Sequence, residues 1–430
     1  MLKLLASSVL TWFNVWGQSQ PELKPLASFP WHNSPVFHLP ETKQDLITNN
    51  IIQSYLQDLT RQNAESDRQG IWIQSGWDTL ASNQGESLLP AASLTKIATT
   101  LAALNKWGVN HQFDTNLYIR GEIKNGAVLG DLIVEGNGDP LFVWEEAIAL
   151  GNALSQLGIT SIEGNLLVTD KFYMNYQDNS LRSGELLKQG LNRGVWRQET
   201  TKQYLQMPVG TPQPEIAIAG KVKLASRIPS DAKPIVIHES LPLGEILRQM
   251  NIYSNNKMAQ ILADLLGGAS EIADSSANIA DFPSAEISLI NGSGLGEENR
   301  ISPRAVCQML MAIDKLLQHD SLSAIDLFPT AGRDRVGTVQ NRGLPKGAAV
   351  KTGTLDNVSA LAGVVSTSDR GNIYFSIINY GRQYEYFRRQ QDWLINQLVG
   401  QWKLTPYNFD LMQPDKWFLG DSDRNIMVVN

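Results

Sequence analysis

Three short strings carry side chains whose types and spacing suit chemistry. The first is "SLLPAASLTKIATTLAALNKWG", residues 87–108, which places Ser93 and Lys96 one helical turn apart. Residues i and i+3 are neighbours on a helix, so the Lys96 amine reaches the Ser93 hydroxyl. A serine hydroxyl is a weak nucleophile until an adjacent base takes its proton. An ammonium cannot do that, but a desolvated lysine near a helix N-terminus loses its proton more readily. Ala91, Ala92, Leu94, Ile97, Ala98, Leu101, Ala102 and Leu104 make the segment apolar nearly all round, which predicts a buried helix. That setting disfavours a cation and so makes Lys96 usable as a base. Spacing alone does not single out this pair, because Ser-x-x-Lys recurs at Ser230/Lys233 and Ser254/Lys257.

The second string, "IYSNNKMAQ", sets Ser254 and Asn256 two residues apart at the mouth of a helix. Extended or loop backbone would aim both side chains the same way. Two readings stay open at this point: helix capping, or a hydroxyl that relays a proton beside an amide that holds substrate backbone. The third, "GAAVKTGTLDNVSALAGVV", puts Lys351 and Gly353 on one face of a predicted strand. Gly353 has no side chain, so a substrate can approach the backbone closely, and Lys351 offers positive charge to a carboxylate. Taken alone, Lys-Thr-Gly is also an ordinary strand edge.

The elements that must position these groups follow from periodicity. "ETKQDLITNNIIQSYLQDLTRQ" (41–62) reads as an amphipathic helix, followed by strands in "GIWIQSG" and "GWDTLASNQ" and then the helix 91–107. From about residue 112 the texture turns to β-type runs: "TNLYIRGEI", "GDLIVEGNGDP", "GNLLVTDKFY", "EIAIAGKVKLASRI" and "PIVIHES", with one helical stretch at 143–157. Helical patterning returns at "LGEILRQMN" and "NKMAQILADLLGG", the second ended by its double glycine. Residues 270–286 are small and polar and read as a loop. "SPRAVCQMLMAIDKLLQ" is a helix with Ser302 as N-cap and Pro303 in its first position. Three strands and a helix close the pattern. The simplest architecture is an α+β domain built from 31–110 and 236–402, interrupted by a β-rich insertion at 111–235. A tail, 403–430, is expected as irregular coil.

Composition narrows the function. The 430 residues hold 36 Lys+Arg against 43 Asp+Glu, a net charge of -7 with no basic run, which argues against a nucleic-acid partner. The single cysteine, Cys307, excludes an intrachain disulfide and reads as a buried thiol in a helical pattern. The histidines at 32, 38, 111, 238 and 319 show no ligand spacing, so neither a metal nor a cofactor is expected. "MLKLLASSVLTWFNVWGQSQPELKP" opens with one lysine, Lys3, followed by a mostly apolar run and then polar sequence. That is the pattern of a signal-peptide core, placed at 1–30, and is too short to cross a bilayer. The competing reading is a disordered or surface-docking leader, with peripheral membrane contact as one form of docking.

In the order Ser-x-x-Lys, Ser-x-Asn, Lys-Thr-Gly, the three strings are those of penicillin-binding proteins and serine β-lactamases. With Ser93-Leu94-Thr95-Lys96, Ser254-Asn255-Asn256, Lys351-Thr352-Gly353-Thr354, "GDLIVEGNGDPLF", "NGSGLGEENRISPRAV" and "KTGTLDNVSALAGVV", the chain resembles one family over roughly residues 45–400. That family is the D-alanyl-D-alanine carboxypeptidase/endopeptidase group, class C of the low-molecular-weight penicillin-binding proteins. The resemblance implies a serine β-lactamase/transpeptidase-like fold: a five-stranded antiparallel sheet flanked by helices, a β-rich inserted domain, and a site between the sheet edge and the helical lobe. It implies an extracytoplasmic, periplasmic enzyme, exported by a signal peptide. Its partners would be peptidoglycan stem peptides as substrates and β-lactam antibiotics as covalent inhibitors.

Carried over residue by residue, the resemblance makes Ser93 the nucleophile and Lys96 its base. Ser254 would relay a proton, Asn256 would hold the acyl side-chain amide, and backbone N–H groups of Ser93 and Thr354 would stabilise the oxyanion. Lys351, Thr352 and Thr354 would bind the terminal carboxylate, beside Gly353. Asp170 in "VTDKFY" and Arg300 in "ENRISP" resemble positions that line the pocket for the stem peptide's diamino acid, and both also read as surface ion pairs. Departures from the pattern are a single insertion between Ser93 and Ser254, extra residues in "TAGRDRVGTVQNR", and the tail. A serine β-lactamase would need a second base, yet no Glu-x-x-Leu-Asn is present and the second motif is not Tyr-x-Asn. A penicillin-recognising sensor without turnover is the other alternative, and release of D-alanine separates it from a peptidase.

Overall fold

The computed structural model describes residues 45–76, 78–405 and 417–428. The expected leader at 1–30, the start of the catalytic domain at 31–44 and residues 406–416 of the tail lie outside the described residues.

"VSALAGVVST" is an almost unbroken apolar run because its strand is covered on both faces. It belongs to a sheet of five antiparallel strands: β1 (Gln69–Ser75), β2 (Asp78–Asn83), β3 (Ala349–Leu355), β4 (Val358–Thr367) and β5 (Gly371–Tyr380), in the order β3-β4-β5-β1-β2. β3 therefore forms one edge. The two-residue period of β3 and β4 sends side chains to two separate cores. Ala349, Ala360, Ala362 and Val364 join one, while Val350, Leu361 and Val365 join the other.

The second core is closed by α1 (Leu46–Arg61) and α5 (Tyr384–Gln401), through Tyr55, Leu59, Phe387 and Leu394. Buried polar groups knit these layers. Tyr55 Oη donates to Asn379 Oδ1 at 2.9 Å, Asn379 Nδ2 donates to Gln69 Oε1 at 2.9 Å, and Gln391 Nε2 donates to Asn379 Oδ1 at 2.9 Å. Such groups stabilise a core only when partnered, and each of these is.

The first core is closed by α2 (Thr95–Trp107), α3 (Asn256–Leu266) and α4 (Pro303–Leu317). Ser302 accepts from the Ala305 amide at 3.0 Å and Pro303 occupies the first turn, as the sequence predicts. Cys307 is a fully buried thiol whose pKa burial drives upward, so it stays inert.

The loop expected over 270–286 is not found: Ala269–Ala280 is a helix. Its buried face is Ile272, Ala273, Ser276, Ala277 and Ala280, and these small residues hid a helical stripe inside a polar composition. Further chain, Ile287–Ser288 and Arg300–Ile301, pairs with Leu89–Pro90 in a small third sheet. That pairing carries residues 289–299 to the start of α2.

Between α2 and α3 the chain builds seven strands of a mixed eight-stranded sheet. Asp114–Lys124 and Ala127–Gly136 form an antiparallel hairpin at its centre, and Leu166–Thr169 and Val222–Ala225 continue it in parallel. The expected helix appears as Trp144–Gln156, and two more were not expected, Ser180–Gly190 and Gln198–Tyr204. Glycines concealed the first: Gly184 lets its helix sit against Val168 and Val222, where an added Cβ would fall 2.5 Å from Val222 Cγ1.

The tail is not all coil. Asn425–Met427 is a strand that pairs with Lys233–Glu239, the strand inside which the expected boundary at 235 falls. Arg424 is buried, with Nη2 donating to Glu146 Oε1 at 2.5 Å and Nη1 donating to the Glu239 carbonyl at 2.8 Å. Burial pushes the Glu146 pKa up to about 7, and Arg424 opposes that rise. His238 Nε2 lies 3.6 Å from Glu146, but burial and then the Arg424 charge push its pKa down to about 3, so the ring there is neutral. Arg424 is thus the cation that makes this cluster tolerable.

Removing one partner of a buried ion pair costs about 3–5 kcal/mol. Arg424→Met is therefore expected to destabilise this region by about that amount. The measurement is hydrogen exchange over Lys233–Glu239, which should become much faster. Unchanged protection there would show that the tail strand does not hold the sheet.

Candidate active site

Ser93 lies in a 3-10 turn, Ala92–Leu94, that runs directly into α2. Ala92 is held at φ 47°, the left-handed region, and the reason is steric. Gly353 on β3 and Gly294 on the 289–299 loop close on it from two sides. A Cβ at Gly353 would stand 3.0 Å from the Ser93 nitrogen, and one at Gly294 would overlap the Ala92 carbonyl. The two glycines let sheet edge and loop clamp the turn that presents Ser93.

Lys96 is fully buried one turn on. Its Nζ has three oxygen neighbours: Asn256 Oδ1 at 2.7 Å, the Ser293 carbonyl at 2.7 Å and Ser93 Oγ at 3.1 Å. The two shorter contacts are to oxygens that can only accept. A neutral amine can donate to both and still turn its lone pair to Ser93, whose hydroxyl can donate. Burial alone pushes the Lys96 pKa down to about 7. Ser93 Oγ and the Lys96 amine are thus in contact, and near neutrality part of the amine is unprotonated, a form that can accept a proton.

The alternatives left open for the second string separate cleanly. Helix capping belongs to Asn255, whose side chain accepts from the Lys257 and Met258 amides at 3.0 and 3.1 Å. Ser254 and Asn256 are free for other work. Asn256 reaches Lys96, and Ser254, at φ 52°, accepts from Lys351 Nζ at 3.0 Å. A serine in the left-handed region costs roughly 1–3 kcal/mol, a strain the surroundings must hold.

Lys351 is buried to within 1% of its surface and also donates to the Thr352 carbonyl at 2.9 Å. Burial first, and then the Lys96 charge, hold its pKa well below the ordinary lysine value. Two ammonium groups are therefore disfavoured together in this site. Thr352 is nearly buried, whereas the Thr354 side chain is exposed, and its Oγ1 accepts from Arg388 Nη2 at 2.9 Å.

Ser93, Lys96, Ser254, Asn256, Lys351, Thr352, Gly353 and Thr354 are therefore brought to one place. The other Ser-x-x-Lys pairs are not sites. Ser230 and Lys233 are exposed, and Lys257 turns away to pair with Asp178 at 2.7 Å. Asp170 and Arg300 stand apart. Both are exposed, and among the described residues neither hydrogen-bonds to this set. Arg300 Nε donates to the Glu297 carbonyl at 3.4 Å. Asp170 lies near Tyr173, whose phenol pKa is raised by burial, then by Asp170, Asp264 and Asp178.

Sequence reasoning gave no role to the loop that completes the Lys96 environment. Ser293 supplies its carbonyl, and Gly292 supplies another to Thr99 Oγ1 at 2.7 Å. Asn291 Oδ1 gathers the amides of Ser293 and Gly294, and Asn299 Oδ1 gathers those of Ile290 and Asn291. Glu297 fastens the loop to the sheet by accepting from Asn357 and Tyr380, each at 2.9 Å. The available signal was the "NGSGLG" turn chemistry, which marks a folded loop but not its role.

A mixed sheet-and-helix lobe of this topology, with a serine at the mouth of its central helix facing an edge strand, defines the serine β-lactamase/transpeptidase-like fold class. The chain belongs to the D-Ala-D-Ala carboxypeptidase 3 (S13) family, whose model matches residues 49–185 and 211–398. It is similar to a D-alanyl-D-alanine carboxypeptidase of Haemophilus influenzae, with 24% identity over 390 residues, 68% of this chain and 80% of that one. Among solved structures, it resembles a predatory peptidoglycan endopeptidase from Bdellovibrio bacteriovorus, with TM-score 0.70, 21% identity, and coverage of 84% of this chain and 98% of that one. A penicillin G-acylated endopeptidase from the same organism, bound to an immunity protein, gives TM-score 0.68 and 22% identity over 79% of this chain and 94% of that one. Among the described residues, no helix is long and apolar enough to cross a membrane.

The Lys96 environment generates a pH signature. Below about pH 7 the amine carries a proton and cannot take one from Ser93; above it the free base accumulates. Reaction of Ser93 with an acylating agent is expected to fall about tenfold per pH unit on the acid side and to level off on the other. Lys96→Arg keeps the charge, removes the base and should slow acylation by about 10²–10⁴-fold. Stopped-flow rates between pH 5 and 9 check both, and a flat wild-type profile would contradict the assignment.

Proposed function

We propose that the protein is a serine DD-peptidase of peptidoglycan stem peptides, working through an acyl-serine intermediate. The observation that carries this is the buried Lys96 amine, held by Asn256 and Ser293 with Ser93 Oγ at 3.1 Å. On this reading the Lys96 lone pair takes the Ser93 proton as Oγ attacks the carbonyl between two D-alanines. Charge builds on the carbonyl oxygen, and backbone N–H groups of Ser93 and Thr354 receive it. Close approach of Gly353 to the Ser93 nitrogen supports that pairing.

The leaving nitrogen then needs a proton. Ser254 Oγ already accepts from Lys351, which leaves its own hydrogen to deliver. Asn256 spans two tasks, with Oδ1 on Lys96 and its amide nitrogen toward the acyl chain. The Lys351-Thr352-Gly353-Thr354 edge receives the leaving residue's carboxylate. Water finally hydrolyses the ester, and Lys96 serves again as base. Asp170 and Arg300 would contact the more distant diamino-acid side chain.

The same chemistry cleaves a D-alanyl bond to a diamino acid in a cross-link. The likeness to a peptidoglycan endopeptidase supports that extension. A penicillin would acylate Ser93 and stay, in keeping with the penicillin G-acylated neighbour. Such substrates lie outside the cytoplasm, so we place the protein there, exported by the leader proposed for 1–30.

Fluorescent penicillin is expected to label the protein covalently, with labelling abolished in Ser93→Ala and retained in Ser230→Ala. Incubation with a pentapeptide ending in D-Ala-D-Ala should release D-alanine over many turnovers. Label persisting in Ser93→Ala would overturn the assignment, and acylation without release would mark a sensor rather than a peptidase.

A further inference from the structure

Arg388 is a residue of the site that none of the three strings points to. It lies in the first two turns of α5, about a third exposed, and its Nη2 donates to Thr354 Oγ1 at 2.9 Å. Its backbone cannot drift. The preceding Phe387 is fully buried in the second core, and Gln391, one turn on, donates to the Ser359 carbonyl at 3.0 Å. Its guanidinium sits 5.4 Å from the centre of the Tyr384 ring, and Nη1 donates to Glu385 Oε1 at 2.9 Å. A guanidinium is thereby fixed at the open edge of β3, on the side chain next to Gly353.

Lys351 offers its charge from further inside. Its Nζ is enclosed and committed to Ser254 and the Thr352 carbonyl, inside the site rather than at its rim. On the peptidase reading the Thr354 hydroxyl helps to receive the leaving residue's carboxylate, and Arg388 stands beside that hydroxyl. Glu385 already shows that a carboxylate can sit on this guanidinium, in a solvent-exposed pair that binds weakly. A substrate carboxylate meeting both Arg388 and the Thr354 hydroxyl has the stronger, fork-shaped arrangement.

We propose, on the peptidase reading above, that Arg388 is the specificity-determining residue for a leaving amino acid whose α-carboxylate is free rather than amidated or extended. It engages that carboxylate together with Thr354, displacing Glu385. Lys351 then orients Ser254, while the discriminating charge comes from helix α5.

The test compares one peptide ending in D-Ala-D-Ala as the free acid with the same peptide as its C-terminal carboxamide. The wild type is expected to prefer the acid. In Arg388→Gln the acid-to-amide ratio of kcat/KM should fall about 10–100-fold, the range of a lost charge-assisted hydrogen bond. Arg388→Lys should recover part of it, because an ammonium keeps the charge without the fork. A purely structural role would not move this ratio. Equal cleavage of acid and amide by the wild type, or an unchanged ratio in Arg388→Gln, would overturn the inference alone, provided penicillin still labels Ser93. Failure to cleave either peptide, with no labelling, would overturn the peptidase reading and this one together.

Discussion

One amine kept out of water governs the rest of this site. Lys96 has no solvent around it, and a buried ammonium is costly unless it is paired with an anion. Here the neighbours are an amide oxygen, a carbonyl and a hydroxyl, all neutral. They satisfy a neutral amine and leave its lone pair on the serine. The same burial that would destabilise a structural lysine thus creates a base. It costs folding stability too: the unfolded chain holds the Lys96 proton up to its ordinary pKa of 10.5, the folded one only to about 7. Stability tied to this group therefore rises with pH across that window and is lowest below it.

Keeping water from the amine takes parts from across the chain. The turn into α2 supplies the serine and α2 the lysine, α3 the asparagine, the 289–299 loop a carbonyl, and β3 a second lysine that makes a further charge unwelcome. Close approach depends on residues without side chains. Gly294 meets the Ala92 carbonyl at a distance no Cβ allows, and Gly353 meets the Ala92–Ser93 turn so closely that a Cβ would stand 3.0 Å from the Ser93 nitrogen. Strain is concentrated at the same place, with Ala92 and Ser254 both in the left-handed region. Two rigid layers can hold such backbone because the sheet between them is buried on both faces.

Much of this was legible in the sequence, for identifiable reasons. The lobe's helices and strands carry clean periods, and the motif order set three distant strings together before any geometry was known. Spacing could not choose among three Ser-x-x-Lys pairs; the order of the three motifs did, and of those three lysines the structure buries only Lys96. Other features stayed hidden. The helix Ala269–Ala280 is lined with alanine and serine, which carry little hydrophobic signal. The tail strand Asn425–Met427 is too short to show a period, and its anchor is a charged residue, Arg424, that normally reads as surface. The Ser293 carbonyl and the Arg388 guanidinium act through position alone, and no pattern in one sequence reports where a carbonyl or a helix's first turns come to rest.

The most direct measurement of the central claim is the titration of Lys96 itself. Protein carrying ¹⁵N-labelled lysine, in a Ser93→Ala background that keeps the fold without chemistry, allows the Nζ resonance to be followed with pH and assigned by its loss in Lys96→Met. A midpoint near pH 7 is the predicted result. A midpoint near the ordinary value of 10.5 would mean that the lysine is a cation at neutral pH, and the account of Ser93 activation would be wrong.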